Sequence, residues 1–415
     1  MTHTVSRRRF IELGCKAGAG AFFIAASGCF PEQFDTRPNA KFMAVPQEGK
    51  TGTAAIEIIQ HDSVPMCLET FLPKAIDLSF LSRGDSVFIK VACNSDNDHP
   101  AVTNPEAIPL LVSFLKKRGA GDIYVGDQSG VETVRLTQNG RVSSTRALMK
   151  KNGLLDAITG SGAKVHCFDD QGWDGYFQDF PDFQSSWQNG IFLPEIIKEV
   201  DHIIYLPRLG SHALAGYTCA VKSAVGWLRD DSRLELHQQA DTFFEKFAEI
   251  NHFPSIRNKL RFSLTIADSA LLNIGPDIGS KHAFDGILLL AADNLVDHDY
   301  IASLLLRWFD TQDTSILDMI NFYPNQVNFW NKRLVKRTWG KSALEAYEPI
   351  KPYNLDRNID HDSCLSHLGW LQGHRPESIL VLTRKNALPL KLQKYLTEIS
   401  EGMVRIRHRP VWQES

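Results

Sequence analysis

The sequence predicts an α/β fold: a largely parallel sheet covered by helices on both faces, followed by a mixed C-terminal extension. Three observations predict it. Between residues 55 and 310, short β-branched runs alternate with helical patterns, the order that builds β-helix-β units. Several of these runs, Ile287-Leu288-Leu289-Leu290 among them, are apolar at every position rather than every second one. That is the pattern of a strand with helices on both sides. The 415 residues are 43% hydrophobic and 22% charged, a globular composition long enough for one large or two ordinary domains.

In chain order the expected strands are Ala55–Gln60, Ser86–Ala92, Asp122–Val125, Lys164–Phe168, His202–Leu206, Ser263–Ala267 and Ile287–Ala291. Helical spacing fills the intervals at Pro105–Arg118, Ser144–Thr159, Leu193–Val200, Gly216–Arg229, Leu234–Ile250 and Leu295–Trp308. Trp173–Trp187, rich in aromatics, Asp, Gln and Gly without a period, reads as a surface connection. From residue 311 to 415 the pattern changes. Asn321–Asn325 and Arg333–Arg337 look irregular and basic, and a strand at Ile379–Leu382 and a helix at Leu388–Ile399 follow. This stretch is expected to pack on the main domain, residues 55–310.

The first residues read as an address. Ser6-Arg7-Arg8-Arg9-Phe10 precedes the mild apolar run Ala17–Ala26, and Ala26-Ser27-Gly28-Cys29 closes it. The first part resembles a twin-arginine export signal and the last a lipoprotein box, so residues 1–28 are expected to be removed and Cys29 lipidated. The run covers ten residues and contains Gly18 and Gly20, whereas a spanning helix needs roughly twenty apolar residues. Residues 29–54, with Pro38 and Pro46, read as a tether. The expected location is the periplasm or cell envelope, reached through the twin-arginine export machinery, with a lipid anchor through Cys29.

Without residues 1–28 the chain keeps 41 basic and 47 acidic residues, a formal net of −6. Nothing in that balance asks for nucleic acid as a partner. Cys67, Cys93, Cys167, Cys219 and Cys364 remain, with no CxxC pair, so no local-cysteine iron–sulfur motif or zinc ribbon exists.

In an open α/β sheet ligands gather at the carboxyl ends of strands, and polar clusters follow several of them. After Val87–Ala92 come Asn94, Asp96, Asp98 and His99; after Ile123–Val125 comes Gly126-Asp127; after Ile203–Pro207 comes Arg208-Leu209-Gly210-Ser211-His212, leading through Gly216 and Thr218 to Lys222. Asp96, Asp98 and His99 offer ligands for a divalent metal, or form a solvated turn. Asn94 can orient a ligand through its amide. Asp127 is placed as a general base, or as an Asx turn. Asp268 holds the same kind of position.

Lys90…Asn94, His99-Pro100, Gly119–Ile123 leading into Gly126-Asp127, and Leu206-Pro207-Arg208-Leu209…His212…Gly216…Lys222 together resemble the family called domain of unknown function 362, over roughly residues 55–305. Many members add a ferredoxin-like domain, whose cysteines this chain lacks. Where the family tends to have an Asp-Pro pair, this chain has Asp293-Asn294. More locally, His212–Lys222 is similar to a stretch of nickel-pincer lactate racemase. That resemblance implies His212 as acid/base or ligand and Lys222 as the anchor of a covalently bound organic cofactor. Asn94 and Asp268, from their strand-end positions, and Ser211, Gly216 and Thr218, from the stretch around His212 that leads to Lys222, are the expected cofactor contacts. A helix starting near Gly216–Thr218 would put Ala215, Cys219, Lys222 and Gly226 on one small-residue face and offer its N-terminal N–H groups to an anion. Two functions are compatible with these features. One is a cofactor-dependent enzyme doing redox or proton-transfer chemistry on a small anionic substrate, with His212, Lys222 and Asp127 as catalytic candidates. The other is a non-catalytic envelope protein that binds a ligand or helps assemble a redox complex.

Overall fold

The computed structural model describes residues 51–312, 324–351 and 363–409, all within one compact unit, residues 37–415. The expectations for Arg7, Arg8, Arg9, Cys29 and the first part of the tether lie outside the described residues. The strands are β1 (Thr51–Ile59), β2 (Val87–Val91), β3 (Ile123–Gly126), β4 (Arg135–Thr137), β5 (Gly140–Val142), β6 (Lys164–Val165), β7 (Tyr176–Asp179), β8 (Ile191–Pro194), β9 (His202–Leu206), β10 (Gly210–His212), β11 (Gly216–Thr218), β12 (Leu260–Leu272), β13 (Ser280–Ala292), β14 (Ser378–Arg384) and β15 (Val404–Arg409).

Nine of them form one path, β15-β14-β1-β13-β12-β9-β2-β3-β6, to which the hairpin β10–β11 is attached through β12. Along this path only the two pairings of β13, with β1 and with β12, are antiparallel. The α/β class and the mostly parallel sheet are therefore as the sequence predicts. The apolar runs divide between two cores by strand alternation. Phe88, Ile203, Tyr205, Leu288 and Leu290 face one side; Val87, Ile89, Ile204, Leu206, Leu289 and Ala291 face the other. Each such buried side chain is worth about 1.5–3 kcal/mol relative to exposure. The helices Leu295–Gln312 and Phe243–Ile250 contribute to the first core, and Val64–Ala75 and Ala107–Lys117 to the second. No helix of the described residues is long and apolar enough to cross a membrane.

Several expected elements differ. Ser144–Thr159 is two helices, Thr145–Lys151 and Leu154–Gly160, because Gly153 takes a positive φ of 82°. Leu234–Ile250 likewise splits into Asp230–Gln238 and Phe243–Ile250. Leu193–Val200 begins as β8, whose antiparallel partner β7 lies within the stretch read as a connection. Arg333–Arg337 is not irregular: it sits in the helix Pro324–Trp339, whose Val335, Thr338 and Trp339 are buried while the cations point outward. The C-terminal stretch adds two strands to the same sheet, with β14 parallel to both β1 and β15.

Candidate functional site

The parallel strands β2, β3, β9 and β12 end on one edge of the sheet, and the loops leaving them carry the site. Arg208 follows β9 by two residues and is only 3% exposed. One of its nitrogens, Nη1, donates to the Pro276 carbonyl at 2.7 Å and makes a long contact to that of Pro100 at 3.5 Å. Its Nε and Nη2 have no partner among the described residues. Burial lowers its pKa to about 10, opposed by the nearby Asp277 carboxylate.

Beyond Arg208 the chain turns through β10 and β11, which pair Gly210 with Thr218, Ser211 with Tyr217 and His212 with Gly216. Pairing and alternation put His212 and Thr218 on one hairpin face and Ser211 on the other. The His212 ring is buried, and its Nδ1 accepts the backbone N–H groups of Leu214 and Ala215, each at 3.1 Å. That bonding assigns the ring proton to Nε2, which has no partner among the described residues. Burial, then the charges of Lys222 and Arg208, hold the His212 pKa well below its ordinary value. A neutral ring that donates from Nε2 is the result.

The helix expected from Gly216 is not there. Gly216–Thr218 is β11, and a helix of one turn, Ala220–Ser223, starts only after Cys219. Its first N–H groups are not available to an external anion, because the Asp299 carboxylate takes those of Ala220 and Val221 at 2.9 and 2.8 Å. Ala215 therefore sits in the hairpin turn rather than on a face shared with Lys222. Lys222 is half-buried at a crevice with about 260 Å³ of empty space, open solvent included. Ala215, Tyr217, Phe244, Phe247, Asp299 and Cys364 line it. The Lys222 amine lies 5.9 Å from the centre of the Phe247 ring and has no hydrogen-bond or ion-pair partner among the described residues. Burial, reinforced by the Arg208 charge, lowers its pKa to about 7.

Asp127 is held differently from a free base. Its Oδ1 pairs with the buried Lys90 ammonium at 2.5 Å and accepts the Gln128 N–H at 2.8 Å; its Oδ2 accepts the Cys93 N–H at 2.7 Å. Burial lowers the Lys90 pKa, and the Asp127 carboxylate opposes that. Asn94 donates from Nδ2 to the Asp277 carboxylate at 3.1 and 3.3 Å, and Ser95 donates to it at 2.8 Å, so the loop after β12 is tied to the loop after β2.

The metal set expected from Asp96, Asp98 and His99 does not converge. Asp96 binds Lys151 at 2.9 Å, and the ring of His99 meets Asp268 through Nε2 at 2.9 Å and the Val102 carbonyl through Nδ1 at 3.0 Å. Asp98 is exposed. Asp96 and His99 turn to separate partners and Asp98 to solvent, in a loop pinned by Asp277 through Asn94, Ser95 and Asn97. Asp268 is thereby a neighbour of His99, while Ser211, Gly216 and Thr218 lie on the hairpin with His212.

Lys90 and Arg208 enter the sequence reading only as residues that carry the family resemblance, without a role in the site, and Asp277 is given none. Arg208 had a signal, a charged residue directly after a fully apolar strand and a proline. Lys90 stood inside the apolar run Val87–Ala92, the one charged residue there, which a buried partner explains.

A family model described as "Domain of unknown function (DUF362)" matches residues 87–303 of this chain. Among solved structures, that of the lactate racemase apoprotein from Thermoanaerobacterium thermosaccharolyticum is similar at a TM-score of 0.40 and 11% identity, over 88% of this chain and 94% of that one. No curated protein matches.

Proposed function

Since the chain belongs to the domain of unknown function (DUF362) family, whose description carries no activity, its chemistry has to come from its own residues, and we propose that it is an exported enzyme that moves protons on a small anionic substrate at the Arg208–His212–Lys222 centre. One observation carries the reading. Three donors near enough for their charges to act on one another, the free edge of Arg208, the His212 Nε2–H and the Lys222 amine, have no protein partner among the described residues, although Arg208 and His212 are nearly fully buried. None of these nitrogens is among the fully buried polar atoms left without a partner; they keep contact with solvent on otherwise covered side chains, which leaves them open to an anion that enters.

Arg208 presents two N–H groups to an oxyanion in the geometry that suits a carboxylate or phosphate. His212, neutral and donating, polarises an oxygen without adding charge. Lys222, with a pKa of about 7, gives and takes a proton at neutral pH. A covalently held organic group on Lys222, implied by the sequence resemblance, would meet an uncommitted amine, but the crevice beside it, walled by Tyr217, Phe244 and Phe247, encloses room for only about one water, so those rings would have to part to admit it. When bound, such a group would supply redox chemistry that these side chains lack. The protein's part is then to hold Lys222 at the crevice and to keep the substrate oxygen on Arg208 and His212.

The test is binding. Acetate, malonate and inorganic phosphate are titrated into the folded chain, followed by calorimetry and by the unfolding temperature. At least one anion should bind, and Arg208→Gln and Lys222→Gln should each weaken it tenfold or more. An Arg208→Gln protein that binds all three as the wild type does contradicts the reading, as does a wild type that binds none at tens of millimolar. Export is tested separately: Arg7→Lys with Arg8→Lys should leave the chain in the cytoplasm, and Cys29→Ser should release it from membranes.

A further inference from the structure

We infer that Cys219, His298 and Asp299 form a binding site for one divalent transition-metal ion of the zinc type, behind the crevice that Lys222 borders. The Cys219 Sγ, a His298 ring nitrogen and an Asp299 carboxylate oxygen all lie within 4.8 Å of one another, and the three residues are fully buried. His298 Nδ1 is 2.9 Å from Asp299 Oδ1 and 4.0 Å from Cys219 Sγ. A small inward movement of the thiol brings sulfur, nitrogen and oxygen to metal-bonding distance around a common point. Thiolate, imidazole and carboxylate together suit zinc, nickel or cobalt and suit magnesium or calcium poorly.

Charge supplies the second argument. Asp299 is a buried carboxylate whose partners among the described residues are two backbone amides and the His298 ring, with no Lys or Arg at ion-pair distance. A buried carboxylate held by hydrogen bonds but by no Lys or Arg gains from a cation brought beside it. A divalent cation with one thiolate, one carboxylate and a neutral imidazole is a neutral unit, which a low-dielectric interior accepts. Binding then releases the Cys219 thiol proton. The His298 ring proton moves from Nδ1, which takes the metal, to Nε2, which lies 3.2 Å from Thr265 Oγ1. Thr265 and the Ala220 and Val221 amides thus hold the ligands from behind, as outer partners do in metal sites. Three protein ligands leave a fourth position, and Asp299 forms part of the crevice wall, so the ion would enter from that side when the wall opens, the three residues being wholly covered as they stand. The inference does not depend on the anion-binding centre, and anion titration leaves it untouched.

The experiment is reconstitution of the full folded chain with zinc, nickel and cobalt(II) after chelator treatment, with elemental analysis and absorption spectra. One equivalent should bind, and the cobalt form should show a thiolate-to-metal charge-transfer band in the near ultraviolet. Cys219→Ser should lose the band and weaken affinity about 100-fold or more, while Cys67→Ser, which alters a thiol held by Arg384, should keep both. Thr265→Val keeps all three ligands and covers the case in which Cys219→Ser fails to fold; it should weaken affinity by about 10–100-fold. A wild type that takes up none of the three metals stoichiometrically overturns the inference. So does a Cys219→Ser protein with unchanged band and affinity, or, if that variant fails to fold, an unchanged Thr265→Val.

Discussion

Replacing Lys90 by Met should be among the most damaging single changes in the strand-end region. The Lys90 ammonium and the Asp127 carboxylate are both buried and meet at 2.5 Å. Met fills the space of the lysine stem but leaves Asp127 with two backbone amides and no counter-charge. Removing one partner of a buried pair costs about 3–5 kcal/mol. Asp127→Asn should cost less, roughly 1–3 kcal/mol, because it keeps an acceptor for one of the two amides, which bond to different oxygens, and the stranded lysine can shed its proton. The double variant Lys90→Met/Asp127→Asn buries no charge at all, so its cost should fall short of the sum of the singles by about 2 kcal/mol. Urea denaturation followed by tryptophan fluorescence measures all three, and Trp227 is a local reporter, its ring centre 5.6 Å from Lys90 Nζ. A Lys90→Met protein within about 1 kcal/mol of wild type, or strictly additive costs, would refute the reasoning.

Gly226→Ala should disturb the same pair from above. A Cβ there would sit 3.0 Å from Lys90 Cε and closer still to Lys90 Nζ and Asp127 Oδ1, and overpacking of this kind costs about 1–3 kcal/mol, read from the same denaturation curves. Lys222 gives a pH signature. Its pKa is about 7 in the fold against 10.5 in an open chain, so the unfolded state holds the extra proton between those values and stability rises with pH across that window. Lys222→Met removes the slope: its gain over wild type should be largest at and below pH 7 and fade towards pH 10.5, measured by urea denaturation at three pH values. Intact mass of the chain recovered through its own export route should exceed the polypeptide mass by an adduct that Lys222→Ala lacks. A bare mass in the wild type would remove the covalent cofactor from the account.

The central sheet was legible because helices on both faces force apolar residues at successive positions, a signal local to each strand. Val87–Val91, His202–Leu206 and Ile287–Ala292 all carry it. The β10–β11 hairpin was not legible. Ala215, Cys219, Lys222 and Gly226 fall at helical spacing by coincidence, and the hairpin is fixed instead by distant groups: Leu271 pairing with Gly210 and Asp299 holding the amides of Ala220 and Val221. Tyr176–Asp179 was missed because its partner strand, β8, was itself read as a helix start. Within the site, His212 and Lys222 stand out in sequence as a histidine and a lysine amid small residues. Asp127 looked like a free base only because Lys90, 37 positions away, gives no local sign of reaching it. The Cys219–His298–Asp299 cluster is illegible for the same reason, its members joined across 79 positions.

Proton transfer at this centre requires Lys222 to be an uncommitted, desolvated amine under the influence of the Arg208 charge, and its ionisation is the most direct test. Nuclear magnetic resonance of the chain with 13C,15N-labelled lysine, the Lys222 signal assigned by its loss in Lys222→Arg, gives the amine's pKa in place. A midpoint near 7, rising when an anion occupies the centre, is the predicted result. A midpoint near 10.5, unmoved by anions, would mark Lys222 as an ordinary solvated lysine and contradict the account.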